Sequence, residues 1–318
     1  MSRSRLFASA SAALAFALTA CAEPTLDTAS RAAGVPADAS LDRAGFDQAG
    51  AHRQYGTPAR LGNGMIRTYV VLDQKNGGRP LEVGVAMSEA SLDGLPAGAP
   101  AMGAMKGHDH GPSNGNVYLL DLPKQNPTPY KFVQFDWNPN GHEPDGVYTL
   151  PHFDFHFYTV PVEVRNSIVP SDPQYFQKAA NLPPQNEWYP FHLDAGALAG
   201  GVPQGAVTVP LMGLHWLDVR SPELQKLAGN PGAWQPFTKT FIYGSWNGQF
   251  IFDEPMITRA YILSKKTATD PAMIDEIIPV STAQRYSPAG YYPSAYRITW
   301  DAQQKEYRVA LTQLGWRD

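Results

Sequence analysis

The clearest pattern in the chain is a strict alternation of polar and aromatic side chains over residues 151–158, Pro-His-Phe-Asp-Phe-His-Phe-Tyr. Successive side chains of a β-strand point to opposite faces, so one face would carry His152, Asp154 and His156 and the other only phenylalanine. A helix would scatter both sets around its surface. The pattern therefore predicts a strand with an aromatic face in the core and a polar face that needs a separate explanation.

Short β-type runs dominate the rest of the sequence, and no long amphipathic helical pattern interrupts them. Strand-like runs are found at 66–72, 81–87, 116–122, 130–137, 238–243, 249–252, 257–263, 296–300 and 307–311, and short helices are predicted at 173–181 and 221–227. Turn signals such as Asn76-Gly77-Gly78 separate neighbouring runs. We therefore predict a mainly β fold, an antiparallel barrel or sandwich with a few short helices, as a single domain over residues 62–318.

The N-terminus has the pattern of a lipoprotein signal peptide over residues 1–20. Arg3 and Arg5 precede an apolar run that is too short to cross a bilayer and ends in Leu-Thr-Ala-Cys at Cys21. This ending resembles the bacterial lipobox, whose cysteine is diacylated; the alternative is an ordinary secretory leader with a coincidental cysteine. We expect palmitate-type lipid at Cys21, a flexible tether at 21–61, and an exported, membrane-anchored protein, with the outer membrane and periplasmic side favoured.

Composition excludes several classes of function. The chain has 318 residues, a net charge of −4 and no cluster of lysine and arginine, which argues against nucleic acid as a partner. Cys21 is the single cysteine, so an internal disulfide and thiol catalysis are both excluded. The sequence also lacks a phosphate-binding loop, a Rossmann glycine pattern and a Gly-x-Ser-x-Gly nucleophile elbow.

Two imidazoles and a carboxylate on one strand face are typical ligands of a divalent transition metal. His215, in Gly-Leu-His-Trp, and Glu254, in Asp-Glu-Pro-Met, each border an apolar run that would form a nearby strand. We predict one metal ion bound by His152, His156, His215 and Glu254, with Asp154 and His142 as the next candidates. These ligand types do not distinguish Zn, Mn, Fe, Ni and Cu, and a polar face satisfied by hydrogen bonds without a metal is the alternative.

Two other polar segments are weaker candidates. Asp136 and Asn138 begin a segment that resembles the first half of a calcium-binding loop, but Val147 stands where that loop requires a glutamate, so a turn is favoured. His108 and His110 lie in a glycine-rich stretch and are predicted to belong to a solvated loop.

Several short motifs resemble a bacterial family of exported proteins of unknown function. That family is typified by a thermophile protein under the control of an extracytoplasmic stress sigma factor and its anti-sigma partner. The motifs are Gly-His-Glu-Pro at 141–144, the 151–158 segment, Met-Gly-Leu-His-Trp at 212–216, Phe-Ile-Tyr-Gly-Ser at 241–245 and Glu-Pro-Met-Ile-Thr at 254–258. The resemblance covers about residues 62–263. The resemblance implies a β-rich exported domain and is compatible with a homo-oligomer. It implies no particular reaction, because none is established for the family.

Three functional hypotheses remain open at the level of sequence. The first is a lipid-anchored metal-binding envelope protein, with a role in the stress response. The second is a metal-dependent enzyme that acts on a small molecule and resembles cupins in ligand chemistry, although the spacing of the two histidines differs from the cupin motif. The third is a structural or interaction module without metal.

Overall fold

The computed structural model of the protein describes residues 51–97 and 116–318. The predicted signal peptide, Cys21, most of the predicted tether, and His108 and His110 lie outside the described residues. Among the described residues, no helix has the length and apolar character needed to cross a membrane.

The fold is mainly β, with 40% of the described residues in strands and 19% helical, which confirms the predicted fold class. The strands are β1 (Ala51–Tyr55), β2 (Ala59–Leu61), β3 (Gly64–Asp73), β4 (Arg79–Ser88), β5 (Val117–Asp121), β6 (Phe132–Asn138), β7 (His152–Tyr158), β8 (His192–Asp194), β9 (Leu214–Asp218), β10 (Lys239–Trp246), β11 (Gln249–Thr258), β12 (Asp275–Pro279), β13 (Gly290–Tyr292), β14 (Ala295–Asp301), β15 (Glu306–Thr312) and β16 (Gly315–Arg317). The helices are α1 (Val162–Asn166), α2 (Tyr175–Ala180), α3 (Ala195–Leu198), α4 (Gln204–Val207), α5 (Arg259–Thr267) and α6 (Pro271–Ile274).

Two antiparallel sheets of seven strands organise the fold. The first has the order β1-β3-β4-β15-β14-β12, with β2 paired to β3, and the second has the order β5-β6-β7-β11-β10-β9-β8. Within the described residues neither sheet closes on itself, so of the two predicted architectures the structure is consistent with the sandwich. A small third sheet pairs β13 with β16.

The main hydrophobic core combines residues from both large sheets. The first sheet contributes Val70, Val83 and Val309, and the second contributes the phenylalanine row of β7, Phe153, Phe155 and Phe157, which is fully buried. The aromatic face of β7 therefore points into the sandwich, as the alternation predicted, and the polar face points the other way.

The outer face of the second sheet is also covered. Tyr158 and Phe252 belong there to one apolar cluster together with Tyr175 of α2. Ile242 and Met256 belong to a second apolar cluster. The polar row of β7 is consequently buried although it lies outside the main core. Buried polar groups are usually hydrogen-bonded or bound to an ion, so this face is the candidate functional site.

One boundary that differs from the sequence predictions is the start of the first sheet. Strands β1 and β2 pair with β3, so the sheet includes residues 51–61, which the sequence analysis had assigned to the tether. β1 was missed because its sequence, Ala-His-Arg-Gln-Tyr, lacks the apolar alternation of a strand with one buried face.

The run 257–263 was predicted as one strand, and this prediction was wrong. β11 ends at Thr258, which pairs with His152 at the very start of β7, so a longer strand would have no partner there. The Thr258 side chain instead accepts a hydrogen bond from the Tyr261 amide and caps α5.

Candidate metal centre

Strands β6 and β7 place two rows of polar side chains next to each other. Their register pairs Gln134 with His156, Asp136 with Asp154, and Asn138 with His152. Directly paired residues of antiparallel strands point to the same face, so all six side chains share the outer face of the second sheet. All except Asn138, which is partly buried, are almost completely shielded from solvent.

Glu254 comes to the same face from β11, the other neighbour of β7. The pairs Asp253–Phe157 and Met256–Asp154 keep one register, which places Glu254 level with His156. Pro255 has no amide hydrogen to donate, which accounts for the interrupted pairing at this point.

His215 reaches this cluster from β9, across the intervening strand β10. The residue of β10 that pairs with His215 is Gly244, and the ring of Phe252 occupies the space that a side chain at Gly244 would need. Because position 244 has no side chain, the rings of His156 and His215 can both contact Phe252, with ring centroids 4.8 and 5.3 Å from it.

The first candidate ligand group, called the His215 group, consists of His156, His215 and Glu254. Nε2 of His156 lies 3.4 Å from one carboxylate oxygen of Glu254, and Nε2 of His215 lies 3.7 Å from the other. Ligand atoms around a tetrahedral ion with bonds of ~2.1 Å are roughly 3.4 Å apart. The separations in the His215 group are therefore close to those that a bound metal ion would impose.

Several buried polar atoms of the His215 group lack a hydrogen bond. Of those that face the other members of the group, Nε2 of His156 and Oε2 of Glu254 have no hydrogen-bond partner, whereas Nδ1 of His156 lies beside Asp136. Leaving such atoms unpaired costs about 1–3 kcal/mol each, more when the group is charged. A cation between the imidazoles and the carboxylate would satisfy the atoms that face one another.

The electrostatics of the His215 group also suit a metal. Burial, reinforced by the nearby His156 and His142, lowers the pKa of His215 to about 3, so its imidazole is neutral at physiological pH. Metals bind the neutral imidazole, so no proton has to be displaced from His215. Burial, with Asp154 and Asp136 nearby, raises the pKa of Glu254 well above its ordinary value, and a divalent ion would reverse that shift.

The second candidate ligand group, called the His142 group, consists of His142, His152 and Asp154. His142 comes from the loop that precedes β7, and its Nε2 lies 3.5 Å from the Asp154 carboxylate. Nε2 of His152 lies 3.2 Å from the other oxygen of that carboxylate. Both separations are close to the spacing of roughly 3.4 Å between ligand atoms around a tetrahedral ion.

Backbone carbonyls orient both imidazoles of the His142 group. Nδ1 of His142 is 2.7 Å from the Glu143 carbonyl and Nδ1 of His152 is 2.6 Å from the Leu150 carbonyl. A carbonyl only accepts, so each Nδ1 carries the hydrogen and each Nε2 is turned toward Asp154. Nε2 of His142 and the Asp154 carboxylate are then two acceptors that face each other. This arrangement requires either a proton or a cation between them.

Hydrogen bonds and opposite charges compensate the buried polar groups of the His142 group more than those of the His215 group. The Asn138 amide donates to Asp154 at 2.6 Å. Burial opposes protonation of His142, but the Asp154 carboxylate outweighs it and raises the pKa of His142. Burial likewise acts to raise the pKa of Asp154, but His152 and His142 hold it well below its ordinary value. A proton shared with His142 can therefore occupy this group when no metal is bound.

A chain of polar contacts leads from a buried arginine to His156. Nε of Arg165 donates to the Gln134 side chain at 2.9 Å, and the Gln134 amide donates to Asp136 at 2.8 Å. The same Asp136 oxygen lies 3.3 Å from Nδ1 of His156. A carboxylate beside Nδ1 directs Nε2 to the opposite side of the ring, which is where Glu254 lies.

The predicted ligands are thus divided between two groups rather than gathered at one ion. His156, His215 and Glu254 come together, whereas His152 joins the second-rank candidates Asp154 and His142. The reason is the length of the strand: at ~3.3 Å per residue, His152 and His156 lie about 13 Å apart along β7. Ligand bonds of ~2.1 Å cannot span that separation.

Sequence reasoning did not assign Gln134 and Asp136 to this site. Their signal was the alternation Gln-Phe-Asp-Trp-Asn at 134–138, which has the same period as residues 152–156. The comparison with a calcium-binding loop drew attention to Asp136 for a different reason, and in the structure Asp136 lies within β6 rather than in a loop.

A cavity of about 470 Å³ adjoins both ligand groups. Its lining includes His142 from one group and His215 from the other, whose side chains are 19% and 16% exposed. The remaining members of the two groups lie in the interior. His142 and His215 are therefore the ligands through which a small molecule in the cavity could approach bound metal.

One comparison with known proteins gives a match. Residues 76–137 match the sequence profile of the TTHB210-like family, described as hypothetical protein TTHB210. This segment covers much less than half of the chain and, of the polar residues described above, includes Gln134 and Asp136 but not the members of the two ligand groups. Neither the curated proteins nor the solved structures contain a significant match to the chain.

Proposed function

We propose that this protein binds divalent transition metal at the His215 group and the His142 group, and that it works as an exported, lipid-anchored protein of the cell envelope. The observation that carries the metal proposal is that two buried atoms facing the interior of the His215 group, Nε2 of His156 and Oε2 of Glu254, have no hydrogen-bond partner. Natural proteins rarely keep such atoms in the interior without a partner.

The first experiment measures metal in protein purified without a histidine tag. We expect up to two equivalents of a transition metal per chain after loading with Zn, Mn, Ni or Cu, and a higher melting temperature when the metal is bound. Matched variants separate the two groups: His156→Ala should lose one equivalent and Asp154→Asn the other, while His52→Ala, an exposed histidine of β1, should lose neither. If the wild type holds no stoichiometric metal and none of the four ions changes its melting temperature, the metal proposal is refuted.

The lipid anchor is supported by the leader pattern that ends at Cys21. Cells that express the full chain should incorporate labelled palmitate into the protein, and Cys21→Ala should abolish the label and the cleavage before residue 21. A mature N-terminus elsewhere, or an unlabelled wild type, would contradict the anchor without affecting the metal proposal.

A second candidate function, metal-dependent catalysis, is favoured by one observation. Each group offers three protein ligands and adjoins the cavity. Catalytic metal sites keep a position open beside three protein ligands, whereas structural zinc sites are closed by four. Cobalt-substituted protein provides the test, since azide should change the visible spectrum if a coordination position is open, and an unchanged spectrum would favour a closed site.

A further inference from the structure

The cavity beside the two ligand groups has a mainly apolar wall. Leu198 of α3, Val207 of α4, Leu217 of β9, Ile242 of β10 and Met256 of β11 contribute to it. Its volume of about 470 Å³ lies within the range of ~300–1,000 Å³ that is usual for sites of small molecules. A wall of this kind favours an apolar molecular body, because its burial removes hydrocarbon surface from water.

In the part of the chain that the structure describes, the polar part of the lining contains no cation of its own. Among the described residues that line the cavity, His142 and His215 stand beside two acidic residues, Glu143 and Asp145, and neither lysine nor arginine is present. An anion would be repelled by this lining unless a metal ion supplied positive charge. In each ligand group two neutral imidazoles and one carboxylate around a divalent ion leave one net positive charge, which one anionic ligand neutralises.

We propose that the cavity binds a small amphipathic monoanion, of the class of aliphatic monocarboxylates. Its hydrocarbon chain packs against Leu198, Val207, Ile242 and Met256, and its carboxylate oxygen coordinates metal held by His215 or His142. This inference rests on the proposed metal sites and adds the class of molecule that meets them.

Decanoate is the probe, and binding is measured by titration calorimetry on the full chain after the metal content has been determined. We expect decanoate to bind to metal-loaded protein at least about tenfold more tightly than to protein stripped with a chelator. Decanol, which has the same chain without the charge, should show no such dependence on metal.

A pair of tryptophan variants tests the position of the ligand. Ala206 of α4 lines the cavity, so Ala206→Trp should fill part of it and weaken decanoate binding at least about tenfold while metal stoichiometry and circular dichroism stay unchanged. Ala197 of α3 is exposed and outside the lining, and Ala197→Trp is the matched control, which should bind decanoate like the wild type.

The outcomes separate the inference from the proposal beneath it. Protein that takes up no metal refutes both. Protein that binds metal but not decanoate, or that binds decanoate equally with and without metal, refutes the inference and leaves the metal proposal standing. Equal decanoate affinity in Ala206→Trp and wild type also refutes it, because the hydrocarbon chain would then lie outside this cavity.

Discussion

Asp253 allows a quantitative test of how much stability this fold loses when a buried carboxyl group ionises. It lies on β11 beside Glu254 but points to the opposite face, into the core, and it is 3% exposed. Its one described hydrogen bond comes from the Tyr130 hydroxyl. Burial raises the pKa of Asp253 from 3.8 to about 7, although the hydrogen bond from Tyr130 acts to lower it.

The sign of the pH effect follows from that shift. The folded protein holds the Asp253 proton up to about pH 7, whereas the unfolded chain releases it near pH 3.8. Stability from this group is therefore fully present below pH 4 and falls as the pH rises to 7. A shift of about three units corresponds to about 4 kcal/mol at 1.36 kcal/mol per unit, a large part of a typical unfolding free energy of 5–15 kcal/mol.

The perturbation is Asp253→Asn, which keeps an acceptor for Tyr130 and removes the charge. Urea unfolding of wild type and variant at pH 5 and pH 8 gives the free energy of unfolding of each. The advantage of the variant over the wild type should grow by roughly 2–3 kcal/mol between the two pH values, because the wild type must ionise Asp253 in the core. Comparing the two proteins at each pH cancels the titration of groups that they share.

Asp172→Asn is the control that should show no change between pH 5 and pH 8. Asp172 is a partly buried carboxylate whose pKa is lowered, chiefly by its hydrogen bond with Lys178. Because this pKa lies below the ordinary value of 3.8, Asp172 is ionised at both pH 5 and pH 8, and the stability difference between Asp172→Asn and wild type should be the same at the two pH values. If Asp253→Asn and wild type show the same change from pH 5 to pH 8, the reasoning about burial at Asp253 is refuted.

Three further substitutions test the site and the core. Gly244→Ala should displace the Phe252 ring and lower both the melting temperature and the metal content of the His215 group; a variant with wild-type melting and metal content would show that the space at Gly244 is not required. Arg165→Met should weaken the metal bound at His156 by about 10–100-fold in a chelator competition assay, with circular dichroism unchanged, because the arginine holds the chain of contacts that orients this imidazole; unchanged affinity would assign Arg165 a purely structural role. Phe155→Ala should lower the free energy of unfolding in urea by about 3–5 kcal/mol while the folded fraction keeps its metal, and a loss below 1 kcal/mol would contradict the packing of this face.

Local alternation was sufficient to determine what kind of element residues 152–158 form. Phe153, Phe155 and Phe157 must share one face of any strand, and the structure buries all of them in the core. The mainly β fold and the strand runs at 296–300 and 307–311, which form β14 and β15, followed from the same kind of local pattern. These features depend on neighbours along the chain, so the sequence carries them directly.

Where patterning was weak, the sequence was misleading. β1 lies at an edge of its sheet and needs no regular apolar face, so residues 51–55 were assigned to a tether. The apolar character of 257–263 continued past the point where β11 ends, whereas pairing with β7 stops at Thr258 and this residue caps the helix that follows.

The division of the ligands into two groups was decided by tertiary structure alone. His152 and His156 share a face because of local geometry, but their partners come from other strands and a loop: Glu254 from β11, His215 from β9 and His142 from the segment before β7. Strand register fixes these distances, and register depends on pairings between residues that lie far apart in the sequence. Alternation therefore determined which side chains could face the site, while the order and register of the strands decided which of them meet.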